Sequence, residues 1–382
     1  MGNQLTLAVA GSRKTQSIVE RCASASHERR VLVVTYTQAN QEELISRLKQ
    51  YAGDHHHVEV MGWFTFLLRH FARPFLPFKF PGCRVLGFNF DGRPHRMAKG
   101  IDRFMDKSGA VYGCELGRLA RELIEESRGA LLKRLECIYD EILVDEVQDL
   151  SAYDWDIIDV LLCSSIEIRM VGDIRQSVLA TNPRSSKNSK YSYAGAINWA
   201  RERQAKGRLE IVESVTTWRC HPVVAKFSDS IFDPSWGFPE TQSENETATA
   251  HDGVFLVATK DVIEYVRSFQ PQCLRYNVLS GLAFDLAYLN FKVSKGMTYE
   301  RVLIVPTGPI AKFIASGVHL EASSASSFYV AVTRARQSVA IVMDKPGKSV
   351  LPYWRPAPPS LAEFDNDSEV SSLATNHLCI TR

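Results

Sequence analysis

Short apolar runs that end abruptly in polar residues punctuate this chain. Leu5–Ala10 (LTLAVA), Val31–Val34 (VLVV), Ile142–Val144 and Ile166–Val171 (IEIRMV) carry apolar side chains at most positions. Runs of that length with little alternation predict strands covered on both faces, as in a parallel sheet. Helical periodicity fills the gaps: Ile18, Val19 and Cys22 share one face after Thr15, and an amphipathic segment extends to about Tyr51. A second series opens near Leu209, with strands expected at Leu209–Val212, Gly253–Ala258, about Val302–Val305 and Ser338–Met343. Ile263–Phe269 and Phe284–Leu289 are the helical candidates between them. The expected fold class is α/β, with two parallel-sheet units.

Two stretches fall outside this rhythm. From about residue 73 to 136, Pro74, Pro77 and Pro81 break the beginning, Arg93, His95, Arg96 and Lys99 crowd Gly92–Gly100, and helices are expected from Gly113 to Glu136. This predicts a small insertion on the first sheet, basic enough to touch a backbone phosphate. From Asp344 onward, Pro346, Pro352, Pro356, Pro358 and Pro359 and an acidic patch predict a tail with little core of its own. The expected organisation is a first domain at 1–206 with the insertion at about 73–136, a second domain at 207–345, and a flexible tail at 346–382.

Composition narrows the function classes. A length of 382 residues suits two ordinary domains, and 45% hydrophobic with 23% charged residues is typical of a water-soluble globular chain. A net charge of +2 argues against a uniformly basic nucleic-acid-binding surface and leaves room for a local groove. The eight cysteines show no C-x-x-C or Cys/His ligand spacing, so reduced thiols are expected, without a disulfide frame or zinc site. His55, His56 and His57 lack a ligand partner at useful spacing and suit a solvent loop. No run reaches the roughly 18 apolar residues of a membrane span, and no secretory leader is expected before the first strand. Met1–Thr6 matches a loose myristoylation pattern, but a strand starts there at once. The expectation is a cytoplasmic protein with no membrane partner.

The chemistry sits where the apolar runs stop. Asp145 and Glu146 follow Ile142–Val144, and two adjacent carboxylates at the end of a buried strand are costly as packing residues. At the carboxyl end of such a sheet they suit Mg²⁺ held by Asp145 and an attacking water oriented and deprotonated by Glu146. Gly11-Ser12-Arg13-Lys14-Thr15, between a strand and a helix, has the layout of a phosphate-binding loop. Lys14 would neutralise phosphates and Thr15 would give its hydroxyl to Mg²⁺. Arg13 stands where glycine is usual, and either weakens nucleotide binding or hydrolysis or points outward harmlessly. Thr35, Tyr36, Thr37 and Asn40 are placed to meet phosphodiester oxygens, although Thr37 equally suits a helix cap. Of Trp63, Phe64, Phe66 and Phe71 most belong to the core, with one or two free to stack on bases. Gln176, after Gly172-Asp173, suits sensing of a terminal phosphate.

The ordered set AGSRKT, TYTQAN, DEVQD, VGDIRQS, TWRCHP, SKGMTYERV and YVAVTRAR resembles the motifs of UvrD/Rep-type superfamily 1 DNA helicases over about residues 5–343. The resemblance implies two RecA-like domains, ATP with Mg²⁺ in the cleft between them, and single-stranded or partly duplex DNA across their tops. It implies that Lys14, Thr15, Asp145 and Glu146 serve ATP and Mg²⁺, and that Gln148 and Gln176 link phosphate state to grip on DNA. Arg219 and Arg334 resemble arginine fingers of the second domain, Trp218 the ring that stacks on adenine, and Gly296 and Thr298 the segment that meets the ribose. Several positions depart from the pattern. The chain begins too close to the phosphate loop for an adenine-reading glutamine, Val178–Asn182 lacks the base-stacking aromatic, and Thr298 replaces a glutamate. Phe64 remains a stacking candidate. Few residues separate Arg219 from Lys295, so the large inserted domain is missing and a near-minimal motor with a partner such as a nuclease, in DNA repair or phage defence, is implied. A degenerate ATP- or DNA-sensing regulatory subunit and a plain DNA-binding module are the alternatives.

Overall fold

The structure is a computed structural model, and it describes residues 2–51, 56–182, 185–193 and 195–356. The first lobe contains β1 (Gln4–Ala8), β2 (Val31–Thr35), β3 (Val58–Gly62), β4 (Gly87–Asn89), β5 (Ala110–Tyr112), β6 (Glu141–Val144), β7 (Glu167–Gly172) and β8 (Glu210–Ser214). Its helices are α1 (Lys14–Ser24), α2 (Gln38–Tyr51), α3 (Trp63–Leu67), α4 (Arg73–Lys79), α5 (Gly113–Glu126), α6 (Ala130–Glu136), α7 (Asp154–Leu161) and α8 (Gly195–Ala205). Six of the strands form one parallel sheet in the order β3-β2-β6-β7-β1-β8. Strand β2 is buried throughout, with Val31 and Val33 in one core and Leu32 and Val34 in the other. Both faces are thus covered, as its unbroken apolar run predicts.

The second lobe contains β9 (Thr216–Thr217), β10 (Gln242–Ser243), β11 (Gly253–Val257), β12 (Gln272–Arg275), β13 (Tyr288–Asn290), β14 (Tyr299–Ile304), β15 (Ala335–Val342) and β16 (Tyr353–Trp354). Helices α9 (Pro222–Asp229), α10 (Val262–Phe269), α11 (Gly308–Ser316) and α12 (Ala322–Val332) accompany them. Its sheet is also six parallel strands, ordered β13-β12-β14-β15-β11-β16. Val254 and Leu256 face one core while Val257 faces the other, the same two-sided burial. The fold is α/β, with two six-stranded parallel sheets.

Four expectations change. Leu209–Val212, expected to open the second unit, lies in β8, which pairs with β1 at the edge of the first sheet. An apolar run predicts a strand but does not say which sheet it joins. Phe284–Leu289 is not helical: it turns into β13, beside the unforeseen β12, whose QCLR sequence is too short and mixed to stand out. The prolines do not break the start of the insertion, because α4 runs through Pro74 and Pro77. Pro74 sits in the first turn where its missing N–H is harmless, a π-helical turn at Leu68–Ala72 leads in, and buried Phe71, Phe75 and Leu76 hold the segment to the core. Finally, the start of the expected tail is structured, since β16 pairs with β11. Residues 357–382, with Pro358 and Pro359, and His55 of the histidine turn lie outside the described residues.

The insertion contributes to the main core. Leu116, Leu119, Ala120 and Leu123 of α5 pack in the cluster that holds Val34, Val144 and Ile168, and each fully buried leucine contributes about 1.5–3 kcal/mol. The β4–β5 ribbon is tied to the same core through Val85, Phe104, Met105 and Val111.

Each lobe buries one histidine. His70 contacts the Tyr139 hydroxyl (3.1 Å) and Arg134 Nη1 (3.2 Å), while Tyr139 donates to Glu59 (2.6 Å). His251 is stacked between Phe255 (4.2 Å) and Phe269 (3.9 Å), with Nε2 2.9 Å from the Tyr265 hydroxyl. Burial first, then Arg301, push His251 down to about 4, with Asp252 opposing; burial, then Arg134 and Arg69, do the same for His70, with Glu59 opposing. A folded-state value below the unfolded value of about 6.5 means that the unfolded chain takes the proton first on acidification. This part of the stability is complete above pH ~6.5 and is lost as pH falls toward 4. His251→Phe, which keeps the stack and removes the proton site, is expected to gain in melting temperature relative to wild type as pH falls through that window. Thermal melts of both proteins across the range measure the difference.

Candidate nucleotide site between the lobes

Strands β1, β6 and β7 deliver the first lobe's polar groups to one edge of the sheet. After β1, Gly11 turns with φ 78°, and a Cβ there would lie 2.6 Å from Arg219 Cβ and 2.7 Å from Thr217 Oγ1. Glycine is needed because the second lobe touches the turn, and Trp218 N donates to Gly11 O at 3.0 Å. Arg13 caps α1 in the left-handed region (φ 61°, ψ 34°), a conformation that costs a non-glycine residue about 1 kcal/mol or more. Its guanidinium lies over the Trp218 ring, 4.0 Å from the centroid. Lys14 and Thr15 begin α1 with their side chains toward the cleft.

After β6, Asp145 is buried and accepts the Glu146 N–H at 2.9 Å. Glu146 is left-handed (φ 54°), a second strained residue at the same edge. Gln148 Nε2 donates to Glu146, and Gln148 Oε1 accepts the Asp173 N–H at 3.1 Å. Gln148 therefore positions the acid and its neighbour without lining the cleft. Gln176, after β7, donates to Asp173 Oδ2 (2.8 Å) and accepts from Arg334 Nη2 (3.2 Å).

The second lobe answers with cations from the amino ends of β14 and β15 and from the connection after β9. Arg334 is buried, donating to the carbonyls of Val330 (2.8 Å) and Met297 (3.2 Å). Arg219 donates to Thr333 O at 3.2 Å. Burial, then the neighbouring Arg219 charge, push Arg334 down to about 9, so an anion between these guanidiniums would relieve both. Lys295 Nζ lies 3.0 Å from Glu146 and 2.8 Å from Asp149. Burial raises the Asp145 carboxyl, and Glu146 raises it further. Glu146 is itself held down by Lys295 and Lys14 despite its burial. Across the contact Tyr329 donates to Asp173 Oδ2 (3.1 Å) and accepts from Ala10 N (3.2 Å), while Arg175 pairs with Asp229 at 2.7 Å.

These groups enclose a cavity of about 900 Å³. Gly11, Ser12, Arg13, Lys14, Thr15, Glu146, Gln176, Trp218, Arg219, Gly296, Thr298 and Arg334 all reach its wall; Asp145 lies beneath and Gln148 behind. The expected nucleic-acid residues divide. Thr37 and Asn40 line this same cavity, with Asn40 N donating to Thr37 Oγ1 at 3.2 Å as in a helix cap. Tyr36 and Phe64 line a separate cavity. Thr35 is only 1% exposed inside β2, with its Oγ1 lacking a hydrogen-bond partner, and it lies on the wall of neither cavity. Lys295, Asp149 and Tyr329 were missed as site residues. Lys295 and Tyr329 lie inside two of the quoted motifs and Asp149 inside a third, but their pairing across the lobes has no local signal.

Residues 95–182 match the family model of the UvrD/REP helicase N-terminal domain. The similarity covers that stretch of the first lobe alone. That match spans Asp145, Glu146, Gln148 and Gln176, and the phosphate loop and second-lobe arginines lie outside it. Among solved structures, a complex of Arterivirus nonstructural protein 10 (helicase) with DNA resembles the chain at 16% identity and TM-score 0.44, over 90% of this chain and 60% of that one. The chain thus spans less than two thirds of that structure's length. No curated protein matches its sequence.

The residues of the cleft fit a nucleotide with its metal. The Ser12 hydroxyl is buried without a hydrogen-bond partner, the glycine turn is held open by contact, and a cationic ammonium already lies among the acids. Such an orphaned donor beside a strained loop would be satisfied by a phosphate oxygen.

Arg13→Gly relieves the left-handed strain and uncovers Trp218. It is expected to stabilise the protein by about 1 kcal/mol and to tighten binding of a fluorescent ATP analogue severalfold, read by denaturant melts and titration. Lys295→Met leaves Glu146 and Asp149 without their buried counter-charge. It is expected to lower the stability of the nucleotide-free protein by about 3 kcal/mol, measured by denaturant unfolding.

Proposed function

We propose that the protein is an ATP-dependent single-stranded DNA translocase or helicase of UvrD-like type, a motor that couples ATP hydrolysis in the cleft to movement on DNA. The observation that carries this is the convergence of Lys14 and Glu146 from one lobe with Arg219 and Arg334 from the other on a single cavity. Phosphoryl transfer needs positioning and charge stabilisation more than covalent chemistry. The Gly11–Thr15 turn and Lys14 would hold the phosphates, and Asp145 and Thr15 would hold Mg²⁺, which neutralises charge on the phosphate oxygens when bound. Glu146 takes the proton of the attacking water at its carboxylate. Arg219 and Arg334 stabilise charge on the transferring group, and Gln176, bonded to Arg334, ties the first lobe to that arginine.

Lys295 gives the resting arrangement its form: its ammonium occupies Glu146, so the base is engaged until the lobes shift. Opening and closing of the lobes around this contact would alternate grip on a DNA strand. Protein partners, including a nuclease, and a role in repair or phage defence follow from resemblance alone. A second reading, a nucleotide-sensing regulatory subunit, is favoured by Arg13 lying over Trp218.

Phosphate release with and without single-stranded DNA separates the two. Glu146→Gln is expected to lower DNA-stimulated turnover by about 10²–10⁴-fold while ATP still binds. Turnover absent in wild type and gained in Arg13→Gly would instead support the sensor.

A further inference from the structure

Nucleoside triphosphates share their phosphates and differ in their bases, so what the cleft offers a base decides which of them it takes. Two rings stand on its wall, Trp218 at 46% exposure and Tyr51 at 58%. Tyr51 is the last residue of α2, roughly 20 Å along the helix axis from the sheet edge that carries the phosphate loop. Trp218 stands at that edge, its N–H donating to Gly11 O at 3.0 Å, shortly before Lys14. It is the platform within reach of a base whose phosphates are held at Lys14.

That platform is already covered. The Arg13 guanidinium lies 4.0 Å from the ring centroid. Both backbones are fixed: Arg13 begins α1 in the left-handed region, its carbonyl accepting Ser17 N–H at 3.0 Å, and Trp218 is held by Gly11 and follows the buried Thr217. A cation over an indole and a base on the same indole are attractions of similar size. A base that displaces Arg13 gains one such contact and breaks another, so the exchange is close to neutral whichever base makes it.

The base edge is no better served. Rejecting a wrong base takes fixed donors and acceptors that it would leave unpaired. The amide nitrogens of Gln16 and Gln176 on the wall are engaged within the protein, with Glu20 at 3.0 Å and Asp173 at 2.8 Å. The phosphate end, by contrast, has Lys14, Arg219, Arg334 and the unpartnered Ser12 hydroxyl.

We propose that Arg13, by holding the face of Trp218, makes the cleft indifferent to the base, so that its substrate class is nucleoside triphosphates in general, recognised through the triphosphate and its metal. The proposal rests on the nucleotide reading above and adds to it a substrate class and a specificity-determining residue.

Displacement of a ribose-labelled fluorescent ATP from the full chain in the presence of Mg²⁺ tests it. ATP, GTP, CTP and UTP are expected to compete for wild type within about twofold of one another, since none gains a net stack. Arg13→Gly should open a preference of about fivefold for the purine over the pyrimidine triphosphates, because the larger ring systems stack better on a bare indole. Arg13→Ala, which keeps the strained backbone and removes the guanidinium, should open the same preference, and adding Trp218→Ala to either variant should abolish it. Circular dichroism melts establish that each variant is folded. A spread of about fivefold or more among the four nucleotides in wild type, no new preference in either Arg13 variant, or a preference confined to Arg13→Gly would overturn base indifference while the motor reading stands. If wild type binds neither the labelled ATP nor any of the four, both fail.

Discussion

A buried group of acids at the end of one sheet, held against a lysine from the other, is the constraint around which the molecule is arranged. Asp145, Glu146 and Asp149 lie where water is largely excluded, and uncompensated charges there would each cost several kcal/mol. Lys295 supplies the compensation from the opposite lobe. The two sheets are therefore coupled through the buried contacts of Lys295 with Glu146 and Asp149.

The same economy governs the cationic side. Arg219 and Arg334 are anchored on backbone carbonyls, which fixes their direction without neutralising them. A buried Arg334 beside a half-buried Arg219 makes a fixed positive field on this wall, which would suit an anion because little has to reorganise. Strain gathers at this edge too, with Arg13 and Glu146 both left-handed. In Arg13 the strain accompanies a side chain that covers Trp218, so the phosphate loop and the second lobe touch before any ligand arrives.

The insertion has two parts with different physics. Helix α5 fills the first lobe's core, and the β4–β5 ribbon adds Val111 to that core while leaving Phe90 exposed beside it.

The sequence by itself determined most of the strands and helices and the order of the polar residues that follow them. Unbroken aliphatic runs marked β1, β2, β6 and β7, and the polar residues after them, Lys14, Tyr36, Asp145 and Gln176, were legible because strand burial and strand ends are local properties. Only the tertiary structure decided which groups meet. It assigned Leu209–Val212 to the first sheet, buried Thr35, set Gln148 behind Glu146, laid Arg13 on Trp218, joined Lys295 to Glu146 and Asp149, and brought Phe90 to Phe64. Each of these depends on strand register and on the placement of one lobe or loop against another. Such long-range packing leaves no periodicity in the residues themselves.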